Sequence, residues 1–227
     1  RPDIKNADYT ADIYNSDEFL QLSFKPFPKT IVTTGLRYDN LKVAYHNALD
    51  NGTGTKIYDK LTSKIGVNYN PFSVAGFYAN FSQGFAPPGV SAIFRTRPGT
   101  GGTTGVPADF YYNLEPATFV NYEVGGWLSI LNNKLGIDYA FYYLDGKNEL
   151  LSVRLADNST DYRSAGATRH KGIEFGLNYK PSSELNFRLG GTVSEHTFID
   201  FKVSEKSSSI NKFSYWEKSL SMNSFFL

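Results

Sequence analysis

The chain has 227 residues, 41% hydrophobic and 16% aromatic, with 16 Tyr, 18 Phe and 20 Gly but no Cys. A formal net charge of +1 gives no electrostatic case for nucleic acid, and the lack of Cys excludes a disulfide scaffold or a thiolate metal site. Mean hydropathy is −0.35 and no apolar run approaches the ~18–20 residues of a membrane helix, which leaves a spanning β-strand open because such a strand hides only alternate residues in lipid.

Arg1–Thr10 carries neither an initiator Met nor a signal peptide, so the chain reads as a processed product or an internal fragment. Phe19–Phe24 is a short, weak strand candidate, followed by a tight polar turn at Lys25–Lys29. Thr30–Asp39 alternates, and a longer link covers His46–Lys56. In Leu61–Asn70, Leu61, Ile65, Val67 and Tyr69 share one face, and Thr62, Lys64, Gly66, Asn68 and Asn70 the other. A turn at Asn70–Ser73 leads to Val74–Phe85, where Phe77, Ala79, Phe81 and Phe85 oppose Gly76, Tyr78, Asn80, Ser82 and Gly84. The longest link, Ala86–Thr118, precedes Asn121–Leu131, a turn at Leu131–Lys134, and Leu135–Tyr143 with Leu135, Ile137, Tyr139, Phe141 and Tyr143 together. Arg154–Thr168 is a third long link. His170–Lys180 and Asn186–Ser194 alternate across a turn at Lys180–Leu185. Beyond Asp200 the pattern falters: Lys202–Trp216 is polar and irregular, and Ser219–Leu227 alternates poorly.

Period-2 alternation fits a soluble sandwich, whose apolar face is the core, or a membrane barrel, whose apolar face meets lipid. Three features favour the barrel. Thr30–His46 and Leu135–Val153 exceed the usual ~5–6 residues of a globular strand. Phe24, Phe27, Tyr69, Phe72, Tyr179 and Phe187 flank the tight turns, where an aromatic girdle sits. Short links fall at one end and long links at the other, as in outer-membrane barrels. The expected fold is all-β: an antiparallel up-and-down transmembrane β-barrel, represented by about eight or nine strands.

Three stretches go beyond pattern: Tyr78-Ala-Asn-Phe-Ser-Gln-Gly-Phe-Ala-Pro-Pro88; Asn113-Leu-Glu-Pro116 followed by Asn121-Tyr-Glu-Val-Gly125; and Asp161-Tyr-Arg-Ser-Ala-Gly166 followed by His170-Lys-Gly-Ile-Glu174. In this order and spacing the chain resembles the C-terminal part of the barrel in TonB-dependent outer-membrane receptors. The resemblance covers roughly residues 60–200. It implies a bacterial outer-membrane location and active uptake of a scarce ligand, commonly a ferric siderophore, by a large barrel. Large plugged transporters of this kind have 22 strands. Residues 1–227 would then be a partial barrel domain without the plug or the TonB box. Its partners would be outer-membrane lipid, a small-molecule ligand and, through the missing plug, the energy-transducing TonB complex. No cofactor is expected on the fragment itself, with a ferric siderophore as the transported ligand, and no enzymatic role is implied.

Arg95 and Arg97 precede a Gly/Thr tract, Gly99–Gly105, and then Phe110, Tyr111 and Tyr112. Arginine beside aromatics can hold an anionic, aromatic iron chelate through charge and cation–π contacts; the alternative is a loop whose aromatics pack on neighbouring loops. Tyr162 and Arg163 are further vestibule candidates. Asp157-Asn-Ser-Thr-Asp161 begins like a calcium loop, but Tyr162 and Thr168 stand where Gly and Glu are needed. His46, His170 and His196 lack metal-ligand spacing, and His170 reads as a rim residue. Competing functions are a soluble β-sandwich module for carbohydrate binding or adhesion, and a small barrel enzyme acting on lipids.

Overall fold

The computed structural model describes residues 8–49, 51–95, 110–155, 158, 160–200 and 213–226. Nine strands run in chain order: β1 (Tyr9–Phe24), β2 (Thr30–Asn47), β3 (Thr53–Phe72), β4 (Ala75–Ala86), β5 (Ala117–Ile130), β6 (Leu135–Arg154), β7 (Thr160–Tyr179), β8 (Leu185–Asp200) and β9 (Phe213–Phe226), with one helical turn, α1 (Val90–Ile93), between β4 and β5. Each strand pairs antiparallel with the next, giving a single sheet in the order β1 to β9. The described strands thus form one up-and-down wall rather than two facing sheets, so the sandwich alternative is not met. β1 and β9 are the ends of the order, so the small closed barrel is not formed either.

The register joins the alternating segments into one two-faced surface, since directly opposed residues project to the same side. Phe24, Val32, Val67, Ala79, Val124, Phe141, Ile173 and Val193 form one continuous rung across eight strands. This face is open: Phe24, Val124, Phe141 and Ile173 are 51%, 52%, 46% and 46% exposed. The opposite face carries the rung Asn68, Tyr78, Gly125, Ala140, Glu174 and Thr192.

Both limits of the apolar band are visible. At the tight-turn end, Phe24, Phe27, Tyr69, Phe72, Tyr179 and Phe187 are all exposed, as a girdle requires. Toward the other end, Phe81, Tyr122 and Tyr143 form a ladder with centroid separations of 5.3 and 6.5 Å. The same rung turns charged on the next strands, where Lys171 Nζ lies 2.9 Å from Glu195, and one rung further Arg169, ion-paired with Asp145, stands over the Tyr143 ring. From Leu135 to Tyr143 the strand runs about 26 Å at ~3.3 Å per residue. At a tilt of ~35–45° it rises about 19–22 Å, most of an apolar band on the order of 25 Å.

Several sequence expectations need correction. The weak Phe19–Phe24 candidate is the end of a 16-residue strand. The turn placed at Asn70–Ser73 sits instead between β3 and β4 at residues 73–74, past a register shift between Tyr69 and Phe72. The long links His46–Lys56 and Arg154–Thr168 shrink to residues 48–52 and 155–159, because β2, β3, β6 and β7 continue well beyond the apolar band. The irregular tail contains β9, paired along its length with β8. Part of the loop asymmetry is therefore carried by overhanging strands. The link between β4 and β5 remains long, as expected.

Candidate ligand-facing site at the long-loop end

Between its flanking strands, the described part of the β4–β5 link folds against the polar face instead of standing free. α1 is a single turn closed by the amides of Ala92 and Ile93 donating to the Gly89 carbonyl. It delivers Ile93 and Phe94 into a cluster with Val43, Tyr58 and Phe110, edged by Leu41, Tyr45 and Val90. Val43, Tyr45 and Tyr58 lie on the overhanging ends of β2 and β3, past the apolar band. Phe94 stacks on Tyr45 at 4.7 Å and meets Phe110 edge-on at 5.4 Å. A second cluster joins Ala92, Tyr111 and Leu114, with Tyr162 packed against it. The packed core of the described molecule is thus this loop on its wall.

Polar clamps fix both sides of the loop. From β3, Lys56 donates to the Tyr112 carbonyl at 2.6 Å and the Tyr58 hydroxyl donates to the Leu114 carbonyl at 3.0 Å. From β7, the Ser164 hydroxyl accepts from the Glu115 amide and donates to its carbonyl, both at 2.9 Å. Gly54 allows the close approach, since a Cβ there would lie 2.6 Å from the Phe94 ring. Burial, reinforced by the charge of Glu115, pushes the Tyr58 phenol up to about 12. Burial raises Tyr112 as well, opposed by a hydrogen bond from the Thr55 backbone.

The candidates read from sequence separate into frame and surface. Phe110 and Tyr111 are 6% and 0% exposed and form the frame. Tyr112 is 39% exposed. Arg95 is exposed; its guanidinium lies 5.4 Å from the Tyr162 ring centroid, and Nη1 donates to the Tyr162 hydroxyl at 3.0 Å. Tyr162 in turn meets Tyr111 edge-on at 5.6 Å. Arg163 sits on the other face of β7 by strand alternation, where Nε pairs with Asp161 at 3.1 Å. Arg97, the Gly99–Gly105 tract and Asp157 of the calcium-like stretch lie outside the described residues. Arg95, Phe110, Tyr111, Tyr112 and Tyr162 therefore come together. Sequence reasoning missed Lys56, Tyr58 and Ser164. Their parity, polar-face positions toward the long-loop ends of β3 and β7, was the available signal.

Further down the same face, Glu123, Asp138 and Glu174 line a recess of about 440 Å³ with Tyr78, Trp127 and Thr192. The Tyr78 ring lies over Gly125, where an added Cβ would come within 2.7 Å of it.

Comparison with known proteins agrees with the wall. A family model described as "TonB dependent receptor-like, beta-barrel" matches residues 1–220. The chain belongs to this family, an outer-membrane β-barrel family of receptors and transporters. It is 22% identical over 207 residues to a probable TonB-dependent siderophore receptor, PiuA, of Acinetobacter baumannii, covering 89% of this chain and 26% of the relative. The crystal structure of PiuA superposes with a TM-score of 0.67 at 19% identity, over 91% of this chain and 28% of that one. The FrpB iron transporter of Neisseria meningitidis gives 0.63 at 17% identity, over 95% and 31%. The ferric-catecholate import receptor Fiu of E. coli K12 gives 0.60 at 13% identity, over 95% and 39%. The chain thus spans about a quarter of the length of the relative it matches in sequence.

Proposed function

We propose that the chain is part of the barrel wall of a receptor that takes up a ferric siderophore, with the loop cluster at the long-loop end contributing to capture. The observation that carries this reading is Arg95: an exposed cation, braced by the Tyr162 hydroxyl and lying against the Tyr162 ring. A fixed guanidinium suits an anionic chelate through charge-assisted hydrogen bonds, and the neighbouring rings offer faces to aromatic chelating groups. Phe110 and Tyr111 shape this surface from below without touching ligand. The names of PiuA, FrpB and Fiu, all concerned with siderophores or iron, support the ligand class. In this reading residues 1–227 are a partial barrel domain. The rest of the barrel and the plug lie outside this sequence, and uptake runs through the TonB complex acting on that plug. Glu123, Asp138 and Glu174 give a basic plug surface a place to dock.

In the intact receptor, Arg95→Ala and Tyr162→Ala are expected to weaken ferric-chelate binding about tenfold or more, the worth of one charge-assisted hydrogen bond. Binding is measured by quenching of intrinsic fluorescence with a catecholate and a hydroxamate chelate in parallel. Unchanged affinity in both variants overturns the site assignment. Failure of the native receptor to bind any ferric chelate overturns the ligand class.

A further inference from the structure

His170 of β7 and His196 of β8 stand directly opposite each other. They lie on the polar face, at the level where the Lys171–Glu195 pair ends the apolar band on the outer face. The ring centroids are 4.8 Å apart with planes at 64°, and the two Nδ1 atoms converge to 2.5 Å. The other nitrogens are engaged. His170 Nε2 lies 3.0 Å from the Thr168 hydroxyl, and that hydroxyl donates to the Glu149 carboxylate. A hydroxyl whose hydrogen goes to a carboxylate can only accept from the ring, so Nε2 of His170 bears the hydrogen and Nδ1 presents a lone pair. His196 Nε2 lies 2.9 Å from the Ser194 hydroxyl and 3.6 Å from the Glu217 carboxylate. These surroundings favour hydrogen on Nε2 there too. Two lone pairs then point at one spot, and a cation belongs between them.

We propose that His170 and His196 form a cross-strand site for a divalent transition-metal ion that prefers imidazole, Cu²⁺ ahead of Zn²⁺, bound through both Nδ1 atoms with solvent completing the shell. Ligand nitrogens at ~2.0–2.1 Å from an ion stand roughly 3.3 Å apart, so the rings separate by under about 1 Å to admit it. Thr168 with Glu149 on one side, and Ser194 on the other, act as positioning residues that fix ring orientation and tautomer. No third His, Cys, Asp or Glu converges with the pair among the described residues, which makes solvent the remaining ligand. The site would clip β7 to β8 on the inner wall. The competing occupant is a proton shared between the rings, and the test separates the two.

The full-length receptor in detergent is stripped with a chelator and titrated with Cu²⁺ alone. Electron paramagnetic resonance is expected to show an ion with two imidazole nitrogens, lost in His170→Ala and in His196→Ala and retained in His46→Ala. Thr168→Val is expected to lower Cu²⁺ affinity about tenfold while keeping the two-nitrogen signature. The same spectrum and affinity in the native receptor and both single variants overturns the proposal. Should either variant fail to fold, the native receptor still decides: Cu²⁺ should protect His170 and His196 from diethyl pyrocarbonate, read by peptide mass. Equal modification with and without Cu²⁺ assigns the pair to a shared proton and overturns the metal site.

Discussion

Tyr58 illustrates how a residue on the wet face of a barrel strand becomes structural. It lies toward the long-loop end of β3, past Leu61, and is 4% exposed because the loop covers it. Its hydroxyl donates to the Leu114 carbonyl, and its pKa is raised from 10.0 to about 12. Folding of the loop therefore favours the neutral phenol. The contribution is full below pH 10 and is lost as the pH climbs toward about 12. Protease resistance of the β4–β5 link should fall across that interval. In Tyr58→Phe, which has neither the ionisable group nor the hydrogen bond, resistance should be lower at neutral pH and less dependent on alkali. Identical pH profiles for the two proteins would contradict this role. From the sequence, Phe110 and Tyr111 were either ligand contacts or packing aromatics; that they are buried against the wall depends on which wall residues the loop meets. His170 and His196 were individually visible, yet 26 residues apart they had no ligand spacing. Only the β7–β8 register makes them neighbours.

At the scale of elements, alternation located the β-segments within the apolar band, because there one face must be apolar throughout. Strand ends at the long-loop end were misread for the same reason. Above the band neither face meets lipid, so Thr53–Lys56 and Thr160–Thr168 look like loop in sequence yet continue the ladder. β9 was obscured similarly: Lys218 falls opposite Val193, on the outward rung, and interrupts the pattern. The β4–β5 link behaves as a packed element of its own. Phe110→Ala removes a ring shared by Phe94, Tyr45 and Tyr112, a change that costs ~3–5 kcal/mol when it empties a core site. The loop, rather than the barrel, should bear that cost. Limited proteolysis should cut the link faster while heat-modifiable migration on gels stays native. A barrel that loses its folded migration, or a link cut at the native rate, would contradict the loop's independence from the wall.

Across the whole molecule, one open apolar face and one polar face are the outcome of a single nine-stranded register. The apolar face is bounded by an aromatic girdle at one end and by the Lys171–Glu195 and Arg169–Asp145 pairs at the other. A wall this exposed requires lipid on one side, and a polar interior with Glu123, Asp138 and Glu174 requires water or a plug on the other. The composition, with aromatics and glycines but no membrane-length apolar run, is what such a wall needs. The most direct measurement is collision accessibility of nitroxide labels placed one at a time along Leu135–Tyr143 in the intact receptor reconstituted in bilayers. Labels at Leu135, Ile137, Tyr139, Phe141 and Tyr143 should collide with oxygen dissolved in lipid, and those at Gly136, Asp138, Ala140 and Tyr142 should be shielded from it. Loss of that alternation, or water-like accessibility at Phe141, would contradict a membrane-spanning wall.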